Sequence, residues 1–259
     1  MSDAGDAPAA GTGLIEVRGL SKTFADFKAV NKVDLTVRRG HIHALIGPNG
    51  AGKTTCFNLL TKTLEPTEGA ILFKGRDITR TSAAHVAQMG MVRSFQISAI
   101  FPTLTVLDNV RVALQRRRGT SFHFWRSDRV LRALDARTTE LLGDVGLADA
   151  ASTVAGDLSY GRKRALEIAT TLALDPEMLL LDEPTSGMGL EDVRTISALI
   201  RRISRDRTVL MVEHNLGVVA DLADRVTVLA GGEVLVEGSY AEVARDARVV
   251  AAYIGRRKA

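Results

Sequence analysis

Residues 47–55, with the sequence GPNGAGKTT, constrain the fold of this chain more than any other segment. They match the spacing G-x-x-x-x-G-K-[ST] without a gap. The run IHALI before them predicts a short buried strand, and residues 55–60 begin a helical pattern after them. Glycines permit positive φ and let backbone N–H groups approach phosphate oxygens, while the new helix contributes the positive end of its dipole. The order of strand, glycine loop and helix therefore predicts a phosphate-binding loop rather than a glycine-rich turn with a chance lysine.

The side chains of this loop predict how a nucleotide and its metal ion are bound. Lys53 is predicted to reach the β- and γ-phosphates, and the Thr54 hydroxyl is predicted to be a ligand of Mg²⁺. The nucleotide-binding residues predicted in this segment are Gly47, Asn49, Gly50, Ala51, Gly52, Lys53, Thr54 and Thr55.

The composition is that of an ordinary soluble globular protein, with 46% apolar and 25% charged residues. No apolar run approaches the ~18 residues needed to cross a bilayer, so we expect no membrane span. Residues 1–13 carry neither a basic region nor an apolar core, and we expect a disordered tail rather than a secretory signal. Cys56 is the only cysteine, which excludes an intrachain disulfide and suits a reducing cytoplasm.

The net charge of +4 arises from scattered arginines with local clusters at residues 116–118 and 256–258, the second in a basic tail over 256–259. Such clusters are compatible with an anionic membrane surface or with nucleic acid. For each cluster alone, a solvated face is the simpler interpretation.

An aromatic side chain ahead of the phosphate loop is a candidate to stack on a purine base. Apolar and polar residues alternate over 14–20 and 33–37, which predicts two antiparallel strands joined by a loop over 21–27. Phe24 in this loop is the first candidate and Phe27 the second. The alternative is that these rings pack in the core, as aromatic residues in strand-rich segments more often do.

A change in composition separates the middle of the chain from its ends. Residues 97–155 have helical spacing of apolar residues, with a predicted helix over 128–146, and they predict a helical subdomain. Residues 119–126 hold the only Trp and two Phe. Two interpretations stay open: these rings form an exposed anchor for a protein or a membrane, or they fold back on their own helices. A single terminal helix is predicted from the spacing of Val243, Ala247, Val250 and Tyr253.

Polar groups follow three predicted buried strands: the phosphate loop, the pair Asp182-Glu183, and His214 after residues 208–212. Because the carboxyl ends of parallel strands meet at one edge, these groups are expected to converge on one nucleotide. Asp182 is predicted to hold Mg²⁺ directly or through water, and Glu183 to act as general base on the attacking water. His214 is predicted to hydrogen-bond the γ-phosphate and the base, and Gln96 to contact Mg²⁺ or the water. Taken alone, His214 and Gln96 would more often be structural residues.

The order of these motifs resembles that of the ATP-binding-cassette (ABC) ATPases. The segment LSYGR resembles the family signature L-S-G-G-Q, with Ser159 and Gly161 retained and with Tyr160 and Arg162 departing from it. The resemblance extends over about residues 14–255. Seven motifs of the family have counterparts in this chain in the same order. They are the aromatic loop (Phe24), Walker A (residues 47–55), the Q-loop (Gln96), the signature (residues 158–162), Walker B (residues 178–183), the D-loop (residues 186–189) and the H-loop (His214).

The resemblance implies an α/β fold, the P-loop NTPase core of ABC ATPases, with a mostly parallel sheet, an antiparallel β subdomain and a helical subdomain. It implies one ABC ATPase domain over residues 14–255, with the helical subdomain inserted at about 97–175, that binds ATP and Mg²⁺ and hydrolyses ATP. It also implies that Ser159 and Gly161 complete the ATP site of another subunit, in a homodimer or in a heterodimer with a second ABC ATPase. A helix N-terminus at Ser159 with no local phosphate to bind agrees with this.

A narrower resemblance is to the cassettes of branched-chain amino-acid importers. It rests on VRSFQ at 92–96, FPTLTVLDNV at 101–110, the helical insert, the LSYG form and the ending AYIG. It implies a peripheral ATPase on the cytoplasmic face of the inner membrane, with two integral membrane permease subunits and, indirectly, a solute-binding protein, and with no nucleic acid partner.

Two alternatives remain open from the sequence. The first is a cassette of an exporter or of a lipopolysaccharide or lipid transporter, which shares much of the same pattern. The second is a soluble ABC ATPase acting on nucleic acid or ribosomes. The usual forms of that class carry two cassettes, a long linker or a coiled-coil insert, and none of these is evident in this sequence.

Overall fold

The computed structural model describes residues 13–94, 100–117 and 134–254. The strands are β1 (Gly13–Phe24), β2 (Phe27–Arg38), β3 (Ile42–Ile46), β4 (Glu68–Phe73), β5 (Arg76–Asp77), β6 (Met91–Ser94), β7 (Met178–Asp182), β8 (Thr208–Val212), β9 (Arg225–Ala230) and β10 (Glu233–Gly238). The helices are α1 (Lys53–Leu60), α2 (Ala83–Gln88), α3 (Val106–Arg117), α4 (Asp135–Asp144), α5 (Tyr160–Leu172), α6 (Leu190–Ile203), α7 (Leu216–Leu222), α8 (Tyr240–Arg245) and α9 (Ala247–Ile254). Within the described ranges, no helix combines the length and the apolar character that a bilayer crossing requires.

A six-stranded sheet in the order β10-β9-β3-β8-β7-β6 forms the centre of the fold. Neighbouring strands from β9 to β6 are parallel, and β10 pairs antiparallel with β9 at one edge. Along β3, Ala44 and Ile46 belong to one hydrophobic cluster and Leu45 to another, so both faces of the sheet are covered. Strands buried on both faces consist mainly of apolar residues, which is why β3, β7 and β8 can be predicted from sequence even though β3 includes His43. The predicted mostly parallel sheet is confirmed.

A second, four-stranded antiparallel sheet has the order β2-β1-β4-β5. Strands β1 and β2 form a hairpin in which Phe24 is paired with Phe27 across the turn Ala25-Asp26. The predicted loop over residues 21–27 is therefore wrong. Ala25 adopts a left-handed conformation (φ 47°), which allows a tight turn. The two strands therefore stay paired up to the residues that flank this turn.

The residues described between β6 and β7 are helical apart from turns and one isolated bridge between Thr105 and Val154. In this part of the chain α3 contacts α4 and α5. The helix predicted over 128–146 is seen as α4, with residues 128–133 outside the described ranges. The aromatic segment 119–126 also lies outside them. The helical subdomain at about 97–175 stays a prediction.

The predicted single terminal helix is wrong, because the segment forms two helices, α8 and α9. Asp246 between them is extended (φ −69°, ψ 120°), which interrupts the helical hydrogen bonds. Its carboxylate accepts hydrogen bonds from the backbone N–H and the guanidinium of Arg248. The Asp246 side chain therefore stabilises the first turn of the second helix.

A buried polar network links β3, β9 and β10. His43 Nε2 lies 2.8 Å from Thr227 Oγ1, which donates a hydrogen bond to Glu237. Burial lowers the pKa of His43 from 6.5 to about 4, since desolvation outweighs the attraction of Glu237, and Arg225 and His41 add to the lowering. The histidine is therefore neutral in the folded protein at neutral pH.

We expect acid to destabilise the fold through His43. The unfolded chain binds this proton near pH 6.5 and the folded chain only near pH 4, so stability is lost as pH falls through that window. The full loss is about 3 kcal/mol. Urea denaturation between pH 7.5 and 4 measures it, and His43→Gln should give a flatter dependence of unfolding free energy on pH. Equal slopes for both proteins would show that another group is responsible.

Candidate active site

The sheet topology brings together the three polar strand ends predicted from sequence. Strand β8 lies between β3 and β7, and all three run parallel. The phosphate loop follows β3, Asp182 ends β7, and His214 follows β8. Their carboxyl ends therefore lie side by side at one edge, as expected for a nucleotide site in an open parallel sheet.

Two glycines of the phosphate loop occupy positions that other residues could not. A Cβ on Gly47 would lie 2.1 Å from the carbonyl oxygen of Leu229, and one on Gly52 would lie 2.4 Å from that of Ala29. Gly52 also has φ 95° and forms the N-cap of α1. The loop therefore packs closely against β9 and β2. Because α1 starts at Lys53, at the end of this loop, its N-terminus is available to bind an anion.

Lys53 is folded back onto its own loop. Its Nζ donates hydrogen bonds to the carbonyl oxygens of Gly47 at 2.6 Å and Pro48 at 3.0 Å. Burial lowers the pKa of Lys53, and the nearby Glu183 carboxylate opposes that shift. The ammonium group therefore sits beside the loop as a partly desolvated cation, a state that strengthens its interaction with a phosphate.

Glu183 and His214 form a hydrogen-bonded pair across β7 and β8. Glu183 Oε1 lies 2.8 Å from His214 Nε2. Glu183 has a left-handed backbone (φ 45°), which costs a non-glycine residue roughly 1–2 kcal/mol, and its N–H donates to Val212 at 2.9 Å. A carboxylate held in this conformation with a histidine partner can accept a proton from water.

Glu213 has a structural part in the site that the sequence pattern left unassigned. Its buried carboxylate accepts hydrogen bonds from the backbone N–H and hydroxyl of Thr185, and from the backbone N–H groups of His214 and Asn215. It therefore joins the segment after Glu183 to the turn that carries His214. The one sequence feature that could have predicted this role is the position of Glu213, a carboxylate next to His214 at the end of a buried strand.

One pocket of about 370 Å³ contains most of the predicted nucleotide-binding residues. Its lining is formed by Phe27, Ala29, Asn49, Gly50, Ala51, Gly52, Lys53, Thr54, Thr55, Glu183 and His214. Phe27, the second candidate for base stacking, is in this lining and Phe24 is not. The Phe24 ring lies under Lys22 Nζ, 5.3 Å from its centroid. Gln96 lies outside the described residues, so its predicted contacts are not tested.

We expect Phe27→Ala to weaken ATP binding more than Phe24→Ala. Base–aromatic stacking is worth about 1–3 kcal/mol, so removing the stacking ring should raise the Kd roughly 5- to 150-fold. Titration calorimetry with ATP gives the Kd of both variants. Phe24→Ala is the matched control, because it makes the same change beside the same turn. A larger loss in Phe24→Ala would reverse the assignment.

The signature segment lies away from this pocket in the same chain. Ser159 is exposed and is the N-cap of α5, with no side-chain capping hydrogen bond. A Cβ on Gly161 would lie 2.3 Å from Asp192 Oδ1, so the Asp192 carboxylate would have to move if residue 161 were larger. The Tyr160 hydroxyl donates to the carbonyl of Ser186 at 3.2 Å, and Arg162 binds the Asp149 carboxylate at 2.5 Å. The two departures from the signature therefore contact this same chain.

Comparison with known proteins agrees with this geometry. The protein-family model for ABC transporters matches residues 30–186. BraF of Pseudomonas aeruginosa, a high-affinity branched-chain amino acid transport ATP-binding protein, is 35% identical over 252 residues, covering 93% of this chain and 98% of BraF. LivG of Salmonella typhimurium, described in the same words, is 36% identical with the same coverage. MJ1267, an ATP-binding cassette of an ABC transporter solved in its ADP conformation, has a TM-score of 0.82 at 27% identity, covering 93% of this chain and 98% of MJ1267. The chain therefore belongs to the family of ABC transporter ATP-binding cassettes.

Proposed function

We propose that this chain is the ATP-hydrolysing subunit of an ABC importer for branched-chain or related hydrophobic amino acids. The chain is an ATPase coupled to transport, like the cassettes that it matches. The assignment to amino-acid transport is supported by BraF and LivG, which are named for branched-chain amino acid transport and match over 93% of the chain. The observation that carries the ATP-hydrolysing part of the proposal is the single pocket lined by the phosphate loop, Glu183 and His214.

The residues of this pocket divide the reaction between them. Lys53 exchanges its bonds to the Gly47 and Pro48 carbonyls for bonds to the β- and γ-phosphate oxygens. Glu183 accepts the proton of the attacking water. His214 Nε2 hydrogen-bonds the Glu183 carboxylate and holds it in place, and His214 would also hydrogen-bond the γ-phosphate when ATP is bound.

Thr54 and Asp182 would hold Mg²⁺. A hydroxyl and a carboxylate are oxygen donors that this ion accepts, and it takes its other ligands from phosphates and water. The described residues contain no group of three His, Cys, Asp or Glu side chains that could bind a metal ion on their own. Ligands from phosphates and water would therefore be needed. When bound, Mg²⁺ neutralises charge on the phosphate oxygens.

We propose that a second ABC ATPase subunit completes the site. Ser159 and Gly161 are outside the lining of the pocket in their own chain, and the N-terminus of α5 has no side-chain cap. An exposed, uncapped helix N-terminus fits a phosphate supplied by another subunit. Either a copy of this chain or a different cassette can occupy that position.

Copurification tests the transport assignment. The tagged chain is proposed to be peripheral on the cytoplasmic face of the inner membrane. Extracted from membranes in mild detergent, it should elute with two integral membrane permease subunits. Uptake of labelled amino acids by the reconstituted complex, with its solute-binding protein, then identifies the solute. Salt-sensitive recovery of RNA or DNA instead of membrane subunits would favour the nucleic-acid alternative. ATP-dependent efflux or lipid extraction would favour the exporter or lipid-transport alternative.

A further inference from the structure

Arg93 on β6 contacts the residue predicted to hold the metal ion. Its Nη2 lies 2.6 Å from Asp182 Oδ2. The Asp182 side chain is 2% exposed and that of Arg93 15% exposed, so little water screens the pair. The sequence analysis includes Arg93 only as part of VRSFQ and assigns it no role, because its partner is 89 residues away.

The Nη1 side of the guanidinium is held in place by α1, while Arg93 Nε is buried without a hydrogen-bond partner among the described residues. Arg93 Nη1 donates to Asn58 Oδ1 at 2.8 Å, and the Arg93 Cζ atom lies 5.1 Å from the centre of the Phe57 ring. Arg93 therefore links β6, the end of β7 and the helix that begins at Lys53. A cation fixed in this way has a defined position relative to the Asp182 carboxylate.

The Arg93–Asp182 contact matters because it balances the negative charge of a buried carboxylate. A carboxylate as buried as Asp182 needs a compensating cation, because removing one partner of a buried pair leaves an uncompensated charge that is strongly destabilising. A divalent cation bound to the same carboxylate would supply that compensation. Arg93 and the cation would then compete for one carboxylate, because two cations close to it repel each other.

We propose that Arg93 is a positioning residue that neutralises Asp182 while the metal position is empty, and that divalent-cation binding weakens the Arg93–Asp182 pair. This rests on the metal role proposed above for Asp182. Arg93 thereby lowers the affinity for the cation and prevents an unpaired buried charge between turnovers. The same exchange loosens a contact between β6, β7 and α1 whenever the cation is bound.

The test is Mn²⁺ affinity measured by electron paramagnetic resonance on the full chain with saturating ADP. Arg93→Met removes the competing charge and keeps much of the side-chain volume, so Mn²⁺ should bind about tenfold more tightly than to the wild type. Arg201→Met is the matched control, because it makes the same chemical change at an exposed arginine that pairs with Asp221 and does not line the pocket, and its Kd should stay within twofold of the wild type. Equal Kd values for Arg93→Met and the wild type would overturn the proposal.

Two further variants separate this proposal from the one on which it rests. Asp182→Asn should weaken Mn²⁺ binding at least tenfold. If it leaves the Kd unchanged, the metal role of Asp182 is wrong. If it weakens binding while Arg93→Met has no effect, only the Arg93 proposal fails. Arg93→Lys keeps a positive charge with shorter reach and serves if the methionine variant does not fold. Its Mn²⁺ affinity should rise about threefold, and an unchanged or lower affinity would contradict the proposal.

Discussion

Glu183→Gln should lower ATP turnover by at least about 100-fold while ATP affinity stays within about threefold of wild type. The amide keeps the shape of the side chain and an oxygen that can face His214, but it cannot accept a proton from water. General bases typically contribute about 10²- to 10⁴-fold to a rate. Phosphate release at saturating MgATP, measured on the purified complex, gives turnover, and calorimetry gives affinity.

Glu140→Gln is the matched control for that substitution. Glu140 lies on α4 and pairs with Arg137 at 2.7 Å with its side chain 60% exposed, so the same chemical change should leave turnover unaltered. Near-normal turnover of Glu183→Gln would reject Glu183 as the base.

Lys53→Ala should instead reduce nucleotide binding itself. A hydrogen bond to a charged group is worth about 1.5–3 kcal/mol, so losing the ammonium should raise the Kd for ATP roughly 10- to 150-fold. Titration calorimetry measures the Kd, and thermal unfolding without nucleotide shows whether the empty loop is also weakened by losing its bonds to Gly47 and Pro48.

Lys62→Ala is the control for Lys53→Ala. Burial lowers the pKa of both lysines, and Lys62 also donates to a backbone carbonyl, that of Thr79, but it does not line the pocket. Its ATP affinity should equal that of the wild type. Unchanged affinity in Lys53→Ala would mean that the phosphates bind elsewhere.

Local signals explain what could be predicted from the sequence. The glycine loop has a fixed spacing, and β3, β7 and β8 are short apolar runs that end in polar residues. Parallel pairing then aligns their carboxyl ends without further information. The phosphate loop, the parallel sheet and the closeness of Glu183 to His214 follow from these signals alone.

Contacts between distant segments explain what could not. The Arg93–Asp182 pair depends on β6 lying beside β7, which no local pattern encodes. The position of Phe27 in the pocket depends on the register of the β1–β2 hairpin, where a seven-residue loop was expected. Glu213 gains its partners only when the segments after β7 and β8 lie side by side.

A crystal structure of Glu183→Gln with Mg²⁺ and ATP would show directly which residues bind the triphosphate. We predict that the triphosphate lies between the phosphate loop and the pair of residue 183 and His214. We also predict that Lys53 Nζ leaves the Gly47 and Pro48 carbonyls for phosphate oxygens. A triphosphate bound elsewhere, or a Lys53 still bonded to both carbonyls beside a bound triphosphate, would show that this pocket is not the ATP site.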